Sequence, residues 1–443
     1  MNRTSLMQDL LASIMDRRSW LPDALSGAAP KKIEDICSAL MSTLGEASGT
    51  ALAARALDAF AGLDEAGQLA FFENLAEHYD PNPHAALAAA NAYAEDRSPT
   101  TLAALIAASE PPRQELLRRL NMAPGGTACL VAMRRRLLDV LKDRPHLKGV
   151  DADFVHMFSS WFNRGFLVLH PIDWRSPAHI LEKIIDYEAV HEIGDWNELR
   201  SRLRPSDRRC FAFFHPSMPD EPLVFVEVAL TRDIPDSIQD LLTADREVLP
   251  VEKASTAVFY SISNCQEGLR GVSFGSFLIK QVAEDLRRDA PSVKTFVTLS
   301  PVPGLMDFLA RRSAEKPDSA TAALHARITA PSWSANAEAM ESDKKQLLGV
   351  AARYFLNAKR SDRQPLDPVA RFHLGNGAKL QQINWRGDVS PKGFAQSAGI
   401  MVNYLYDLDK IELNHEAYAT DREVIASRRV RALLPAAEEK ETA

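Results

Sequence analysis

Residues 256–304 read TAVFYSISNCQEGLRGVSFGSFLIKQVAEDLRRDAPSVKTFVTLSPVPG, and the fold turns on them. Ala257–Ser263 is a short run of aromatic, aliphatic and β-branched residues, which predicts a strand. Ser276–Arg288 then brings Phe277, Leu278, Val282 and Leu286 to one helical face, with Lys280, Glu284, Asp285 and Arg288 on the other. Thr295–Leu299 returns to strand composition, and Pro301 and Pro303 stop it and stiffen the turn. The stretch is therefore a strand–loop–helix–strand unit.

Its loop contains Gly271-Val272-Ser273-Phe274-Gly275, a formal match to the G-x-S-x-G of serine hydrolases. A nucleophile elbow needs its serine on a sharp turn directly between strand and helix. Here seven loop-like residues, Asn264 to Arg270, separate the strand from Gly271, and no H-G-G-G segment precedes it to build an oxyanion hole. A ligand loop fits the spacing better. Gly268, Gly271 and Gly275 permit close backbone approach and positive φ, and Ser276 is placed to cap the helix. Backbone N–H groups at a helix N-terminus bind phosphate, and Arg270 adds a charge. A glycine-rich connection that binds nothing fits the same composition.

Working outward, Phe211–His215 and Leu223–Ala229 also read as strands, and Ala178–Tyr187 and Asp236–Leu242 as helices. This alternation after Phe166 predicts a mixed α/β domain. The first third is Ala- and Leu-rich. Ala51–Ala61, Leu69–His78, Ala85–Glu95 and Gln114–Leu120 have helical spacing, broken at Asp80–Pro83, Pro111-Pro112 and Pro124–Gly126. Asp80 and Ser98-Pro99 are helix-start signals. The prediction is a helical bundle over residues 1–163 and a mixed domain over 164–443. In the latter, residues 312–345 are a helix-containing insertion or surface excursion, and Gln346–Ala358 is a helix.

The chain has 443 residues, 25% charged and 46% hydrophobic, with a net charge of −7. That balance argues against a general nucleic-acid binder. The four cysteines, Cys37, Cys129, Cys210 and Cys265, form no C-x-x-C pair, and the eleven histidines are scattered, so neither a disulfide framework nor a metal site is expected. No apolar run reaches the length of a membrane span, and the N-terminus lacks a secretory pattern, so a cytoplasmic location, in a bacterium, is expected.

Three stretches resemble the malonyl-CoA decarboxylase family: residues 256–304 quoted above, HPIDWRSPAHILEKI from His170, and DPVARFHLGNGAKLQQINWRGDVSPKGFAQSAGIMVNY from Asp367. The resemblance runs from about Phe158 to Tyr406. It implies that the helical bundle precedes a GNAT-like (acetyltransferase-fold) catalytic domain with a mixed central sheet. It also implies that a loop after a central strand holds the pyrophosphate of coenzyme A. By motif, the acyl-CoA loop falls on Arg270, Gly271, Val272, Ser273, Phe274, Gly275 and Ser276, next to Gly268. The catalytic serine of S-P-x-P-G falls on Ser300, the catalytic histidine of R-F-H-L-x-N-G-A on His373, and a site tyrosine on Tyr406. Family members carry glutamate at the third position of G-V-x-x-G, where this chain has Ser273, so an acidic role there does not carry over.

Read without the resemblance, Ser300 is first a turn cap ahead of proline. His373, before Gly375-Asn376-Gly377, reads either as the start of a loop reaching into a cleft or as a half-buried packing histidine. Tyr406 is an ordinary core or edge aromatic. His170 and His215 precede prolines and read as turn residues. Cys265 has no need of a thiolate. Trp174, Trp385 and Phe372 read as packing residues, one of which could line a pantetheine channel.

The implied reaction takes malonyl-CoA to acetyl-CoA and CO2. The thioester carbonyl is its own electron sink, so no cofactor and no metal is expected. The protein has to orient the carboxylate, stabilise an enolate oxygen and deliver a proton. Oriented donors supply ~3–4 kcal/mol each and general-acid help about 10²–10⁴-fold. An acyltransferase using the same loop, a Ser–His thioesterase and a non-catalytic acyl-CoA sensor are the rivals. The family also implies a homo-oligomer, a dimer or tetramer assembled through the helical domain.

Overall fold

The structure, a computed structural model, describes residues 32–42, 45–272 and 278–434. The chain divides into two compact units. Among the described residues, one comprises those up to 167 together with 215–219 and 266–272, and the other comprises the remainder.

The first unit is helical: α1 Ile33–Ser42, α2 Glu46–Ala61, α3 Glu65–His78, α4 Pro83–Glu95, α5 Pro99–Ser109, α6 Pro112–Leu120, α7 Gly126–Val140 and α8 Lys148–Trp161. Its core is aromatic, with Phe60 edge-on to Phe71 at 5.3 Å and Phe154 beside Phe158 at 5.7 Å. Ser98 caps α5 by accepting from the Thr101 N–H at 3.3 Å, as its start signal predicts. Asp80 does not start a helix. Pro83 takes the first helical position, which leaves the cap to Asn82; its side chain accepts from the N–H groups of His84 and Ala85. Asp80 pairs with buried Arg113, which also pairs with Asp153.

The second unit begins with β1 Val168–Ile172, α9 Ala178–Tyr187, α10 Trp196–Leu203, β2 Arg208–Phe214, β3 Val224–Thr231, α11 Ile238–Leu242 and β4 Thr256–Asn264. It continues with α12 Leu278–Asp289, β5 Thr295–Thr298, β6 Ser300–Pro301, α13 Leu305–Glu315, α14 Ala320–Ile328 and α15 Ala337–Leu356. α16 Pro368–Gly375, β7 Lys379–Asn384, α17 Pro391–Ser397, β8 Met401–Leu405, α18 Ile411–Asp421 and α19 Arg428–Arg431 complete it. The strands form one sheet in the order β1-β2-β3-β4-β5-β8-β6, with β7 on β8. β1 to β4 are antiparallel neighbours, and β4 and β5 are parallel, joined through α12. This mixed order, antiparallel up to the strand before the loop and parallel across it, is the GNAT-like fold.

β2, β3 and β4 are buried almost throughout, which explains their near-continuous apolar runs. α12 buries Leu278, Ile279, Val282, Ala283 and Leu286. His170 is not a turn residue: it lies in edge strand β1, paired opposite Ala212, with its ring edge-to-face with Phe214 at 5.7 Å. An edge strand tolerates Pro171 because one side of it needs no ladder bond.

β4 and β5 pair only from Thr256–Thr295 to Phe259–Thr298. Beyond that point β4 runs on to Asn264 against β3 alone, while the chain after β5 turns to β8, where Ser300 faces Val402. The sheet therefore splits after Phe259 and Thr298. Ser300 sits at the mouth of the split.

Candidate active site

The glycine loop belongs to the helical unit. Glu267–Leu269 forms a single 3₁₀ turn against α7. A Cβ on Gly268 would collide with the carbonyl oxygen of Val131, so glycine is required there by helix packing. Buried Arg134 donates from Nη1 to the carbonyl oxygens of Gly268 at 2.7 Å and Arg270 at 2.8 Å, and its Nε is held by Asp151 at 2.8 Å. Gly271 has φ of +83° and open space around it, a conformation that glycine adopts at little cost. Val272 is buried and the Arg270 side chain is exposed. Ser273, Phe274, Gly275 and Ser276 lie outside the described residues.

The other predicted residues, Ser300, His373 and Tyr406, are brought together in the second unit. The Ser300 hydroxyl lies 3.2 Å from His373 Nε2, and His373 Nδ1 lies 2.8 Å from the Tyr406 hydroxyl. His373 is not on a loop. Asp367 caps α16 by accepting from the Ala370 N–H at 2.7 Å, and Pro368 takes the first helical position. That register puts Ala370, His373 and Leu374 on the buried face. His373 is 3% exposed, and its imidazole stacks on the Tyr404 ring at 4.6 Å. Tyr404 and Tyr406 alternate along one face at the end of β8, so one packs against His373 and the other bonds it.

Burial fixes the protonation states. It pushes the His373 pKa down to about 3, so the imidazole is neutral at ordinary pH. It pushes Tyr406 well above the usual phenol range, an effect opposed by a side-chain hydrogen bond from Asn376. The Ser300 hydroxyl donates to Thr298 Oγ1 at 2.8 Å.

A second link ties the two halves of this cluster. The Tyr354 hydroxyl donates to Asp367 Oδ2 at 3.3 Å and occupies the place where a Cβ of Gly304 would lie. Gly304 follows the Ser300 turn, and Asp367 caps the helix that carries His373. Burial raises the Asp367 pKa to about 6.

The cluster opens on a cleft of about 250 Å³ within the second unit. Phe259, Ile262, Val369 and Phe372 give it apolar walls, and Ser300, His373 and Asn264 supply polar groups. Phe372 is 41% exposed and lines this cleft as well as packing. Trp174 stands edge-on to Trp196 at 6.1 Å and Trp385 to Trp333 at 6.3 Å, as packing residues. The Cys265 thiol is pushed up by burial, chiefly, and by Glu188, and so stays protonated. Among the described residues no group of three or more His, Cys, Asp or Glu could hold a metal ion, and no helix is long and apolar enough to cross a membrane.

Thr298 and Asp367 went unread in the sequence. Period-two alternation, which pairs Tyr404 with Tyr406 in the sequence, would likewise have paired Thr298 with Ser300. Asp367-Pro368 is a helix-start signature that would have put His373 on a helix.

Residues 165–443 match the malonyl-CoA decarboxylase C-terminal domain, and residues 79–162 match the corresponding N-terminal domain. The mitochondrial malonyl-CoA decarboxylase of Anser anser anser is 38% identical over 348 residues, 72% of this chain and 69% of the relative. The crystal structure of malonyl-CoA decarboxylase from Rhodopseudomonas palustris superposes with a TM-score of 0.87 at 51% identity, covering 92% of this chain and all (100%) of that one. The corresponding structure from Agrobacterium vitis gives 0.87 at 54% identity, covering 91% and 100%. On this fold and with these matches the chain is an enzyme, a carboxy-lyase. It belongs to the malonyl-CoA decarboxylase family.

Proposed function

We propose that the chain decarboxylates malonyl-CoA to acetyl-CoA and CO2, with Ser300, His373 and Tyr406 handling the proton and the enolate oxygen. The observation that carries this reading is the hydrogen-bonded run from Tyr406 through a neutral His373 to Ser300, ending at the apolar cleft of the split sheet. Among the described residues lining that cleft none is Lys or Arg. A carboxylate held there is desolvated without a countercharge, and loss of CO2 relieves that cost.

The electron pair of the breaking carbon–carboxylate bond passes into the thioester as an enolate. The Ser300 hydroxyl stabilises the enolate oxygen and then gives its hydrogen to the carbon. The Nε2 hydrogen of His373 moves to Ser300 and the Tyr406 hydrogen to Nδ1. The phenolate, a much weaker base than a thioester enolate, takes its hydrogen back from Nδ1 after the product leaves, Nε2 takes one from Ser300, and Ser300 regains its proton from water in the cleft, which restores the starting tautomer. One proton is consumed per turnover, and no cofactor takes part. Loss of activity on exhaustive dialysis against a chelator would overturn that last statement. As the family resemblance implies, we assign the phosphates of coenzyme A to Gly268 and Arg270 through Ser276.

The test is mass spectrometry of malonyl-CoA turned over in deuterated water by wild type, Ser273→Ala and Ser300→Ala. Acetyl-CoA carrying one deuterium, lost with Ser300→Ala and largely kept with Ser273→Ala, is expected. Free coenzyme A abolished by Ser273→Ala would make the protein a thioesterase. Turnover only with an added acceptor would make it an acyltransferase, and no turnover at all an acyl-CoA sensor.

We also propose a homo-oligomer, a dimer or tetramer, assembled through the helical domain. α4 and α5 pack on each other yet bury no residue, and Leu87 and Ile106 are 62% and 58% exposed. Light scattering is expected to show more than one chain per particle, and a 49 kDa species alone would refute it. Four free cysteines, three of them buried, support a reducing compartment, which we take to be a bacterial cytoplasm; fractionation of the source cells tests it.

A further inference from the structure

We infer that Thr298 is a positioning residue that sets the direction of the hydrogen-bonded run at Ser300 and, through it, the tautomer of His373. This rests on the decarboxylase reading above and adds a residue to it.

The argument starts from the ladder between β5 and β8. Val297 pairs with Leu405 and Ser300 with Val402, the same register on both sides of a gap. Side chains bridge that gap. The Tyr404 N–H donates to Thr298 Oγ1 at 3.1 Å, and Asn403 Nδ2 donates to the Thr298 carbonyl at 2.8 Å. Asn403 is in turn held by Asn384 at 2.7 Å, and Thr298 is fully buried. The Thr298 hydroxyl is thus clamped by main chain, and its oxygen is a fixed acceptor.

Ser300 has one hydroxyl hydrogen, and it goes to that acceptor at 2.8 Å. The contact between Ser300 and His373 Nε2 then needs its hydrogen from the imidazole. A neutral imidazole carrying hydrogen on Nε2 has a bare Nδ1, which accepts from the Tyr406 hydroxyl. Every bond from Tyr406 to Thr298 therefore points the same way, each hydrogen facing the Thr298 end.

That polarity suits delivery of a proton outward from Ser300. At rest the Ser300 hydrogen lies on a neutral oxygen. A developing enolate oxygen within reach makes a charge-assisted bond, which is the stronger one, and draws the hydrogen off Thr298. Without the Thr298 oxygen, the Ser300 hydrogen is free to turn to Nε2. His373 then carries its hydrogen on Nδ1 and donates to Tyr406, and the run is reversed. Wrong-tautomer histidines with intact geometry lose turnover far more than binding.

The test uses the full chain labelled with ¹⁵N-histidine, with Thr298→Val, Thr298→Ala and Thr298→Ser beside wild type. Wild-type His373 is expected to be neutral with hydrogen on Nε2. Thr298→Val and Thr298→Ala are expected to lower kcat on the order of 10²-fold, with KM for malonyl-CoA little changed and hydrogen appearing on Nδ1. Thr298→Ser, which keeps the oxygen, restores both rate and tautomer. A wild-type enzyme with hydrogen on Nδ1 overturns the inference, whether or not any variant folds. So does a fall in rate that leaves the tautomer unmoved, or wild-type kcat in both the Val and Ala variants. Ser300→Ala and His373→Ala at wild-type rates would overturn the parent reading instead.

Discussion

The glycine loop at 268–272 and the turn at 298–304 look alike in sequence: each is a short, glycine-bearing connection at a strand end. In the structure they answer to different forces. Gly268 is dictated by the α7 backbone, whose Val131 carbonyl leaves no room for a Cβ, and two loop carbonyls are tied down by Arg134. Ser300 is surrounded by side-chain chemistry, with Thr298 on one side and His373 on the other. A conformational signal such as glycine marks both places. Only the company of the residues separates a packing constraint from a reactive group.

The sharpest way to break this contrast is to remove the reactive groups. Ser300→Ala and His373→Ala are each expected to lower turnover at least ~10²-fold in a protein that still folds, since a relay and an oriented donor are lost. Steady-state rates with circular dichroism check it, and near-normal rates in folded variants would erase the distinction. The loop is expected to respond in stability. Gly268→Ala forces a Cβ onto a backbone carbonyl and should cost about 1–3 kcal/mol, as overpacking does. Gly271→Ala meets only open space and a positive φ and should cost about 1 kcal/mol. Urea denaturation orders the two, and equal losses would show that helix contact does not fix Gly268.

The last expected effect is on pH dependence, and it is small over any one pH unit. His373 is held neutral down to about pH 3 in the fold, whereas an unfolded imidazole takes up a proton near pH 6.5. Between those values the unfolded chain binds more protons, so stability falls as pH falls, by roughly 1 kcal/mol per pH unit from this group. His373→Gln should flatten the slope by that amount. Over the same window buried Asp367, raised to about 6, acts in the opposite sense, since its folded form holds the proton longer. Comparing the variant with wild type isolates His373. An unchanged slope would mean that the imidazole is hydrated.

Legibility followed locality. The helix Ala178–Tyr187 and the strand Thr295–Thr298, expected as Thr295–Leu299, were readable because their apolar spacing is set within the segment. β7, KLQQIN, was not, because its polar composition is tolerated only through pairing with β8. Ser300, His373 and Tyr406 reached notice through motif resemblance, while their mutual contact depends on residues 73 and 33 positions apart. Thr298 was legible only as a strand residue on the same face as Ser300, and its value lies in an acceptor aimed at that neighbour two residues along. His170 misled because His-Pro is a turn pair by local statistics, and an edge strand absorbs it.

Tyr354 gives the site a common mounting. Its hydroxyl fills the space that Gly304 leaves and holds the Asp367 cap, so the turn behind Ser300 and the helix behind His373 bear on one phenol. Close-packed interiors transmit displacement with little loss. A push on either support is passed to the other, and the two partners drift together with their spacing kept. Tolerance at position 304 is then set by a tyrosine fifty residues further along the chain, and a side chain there would act as a wedge between mountings.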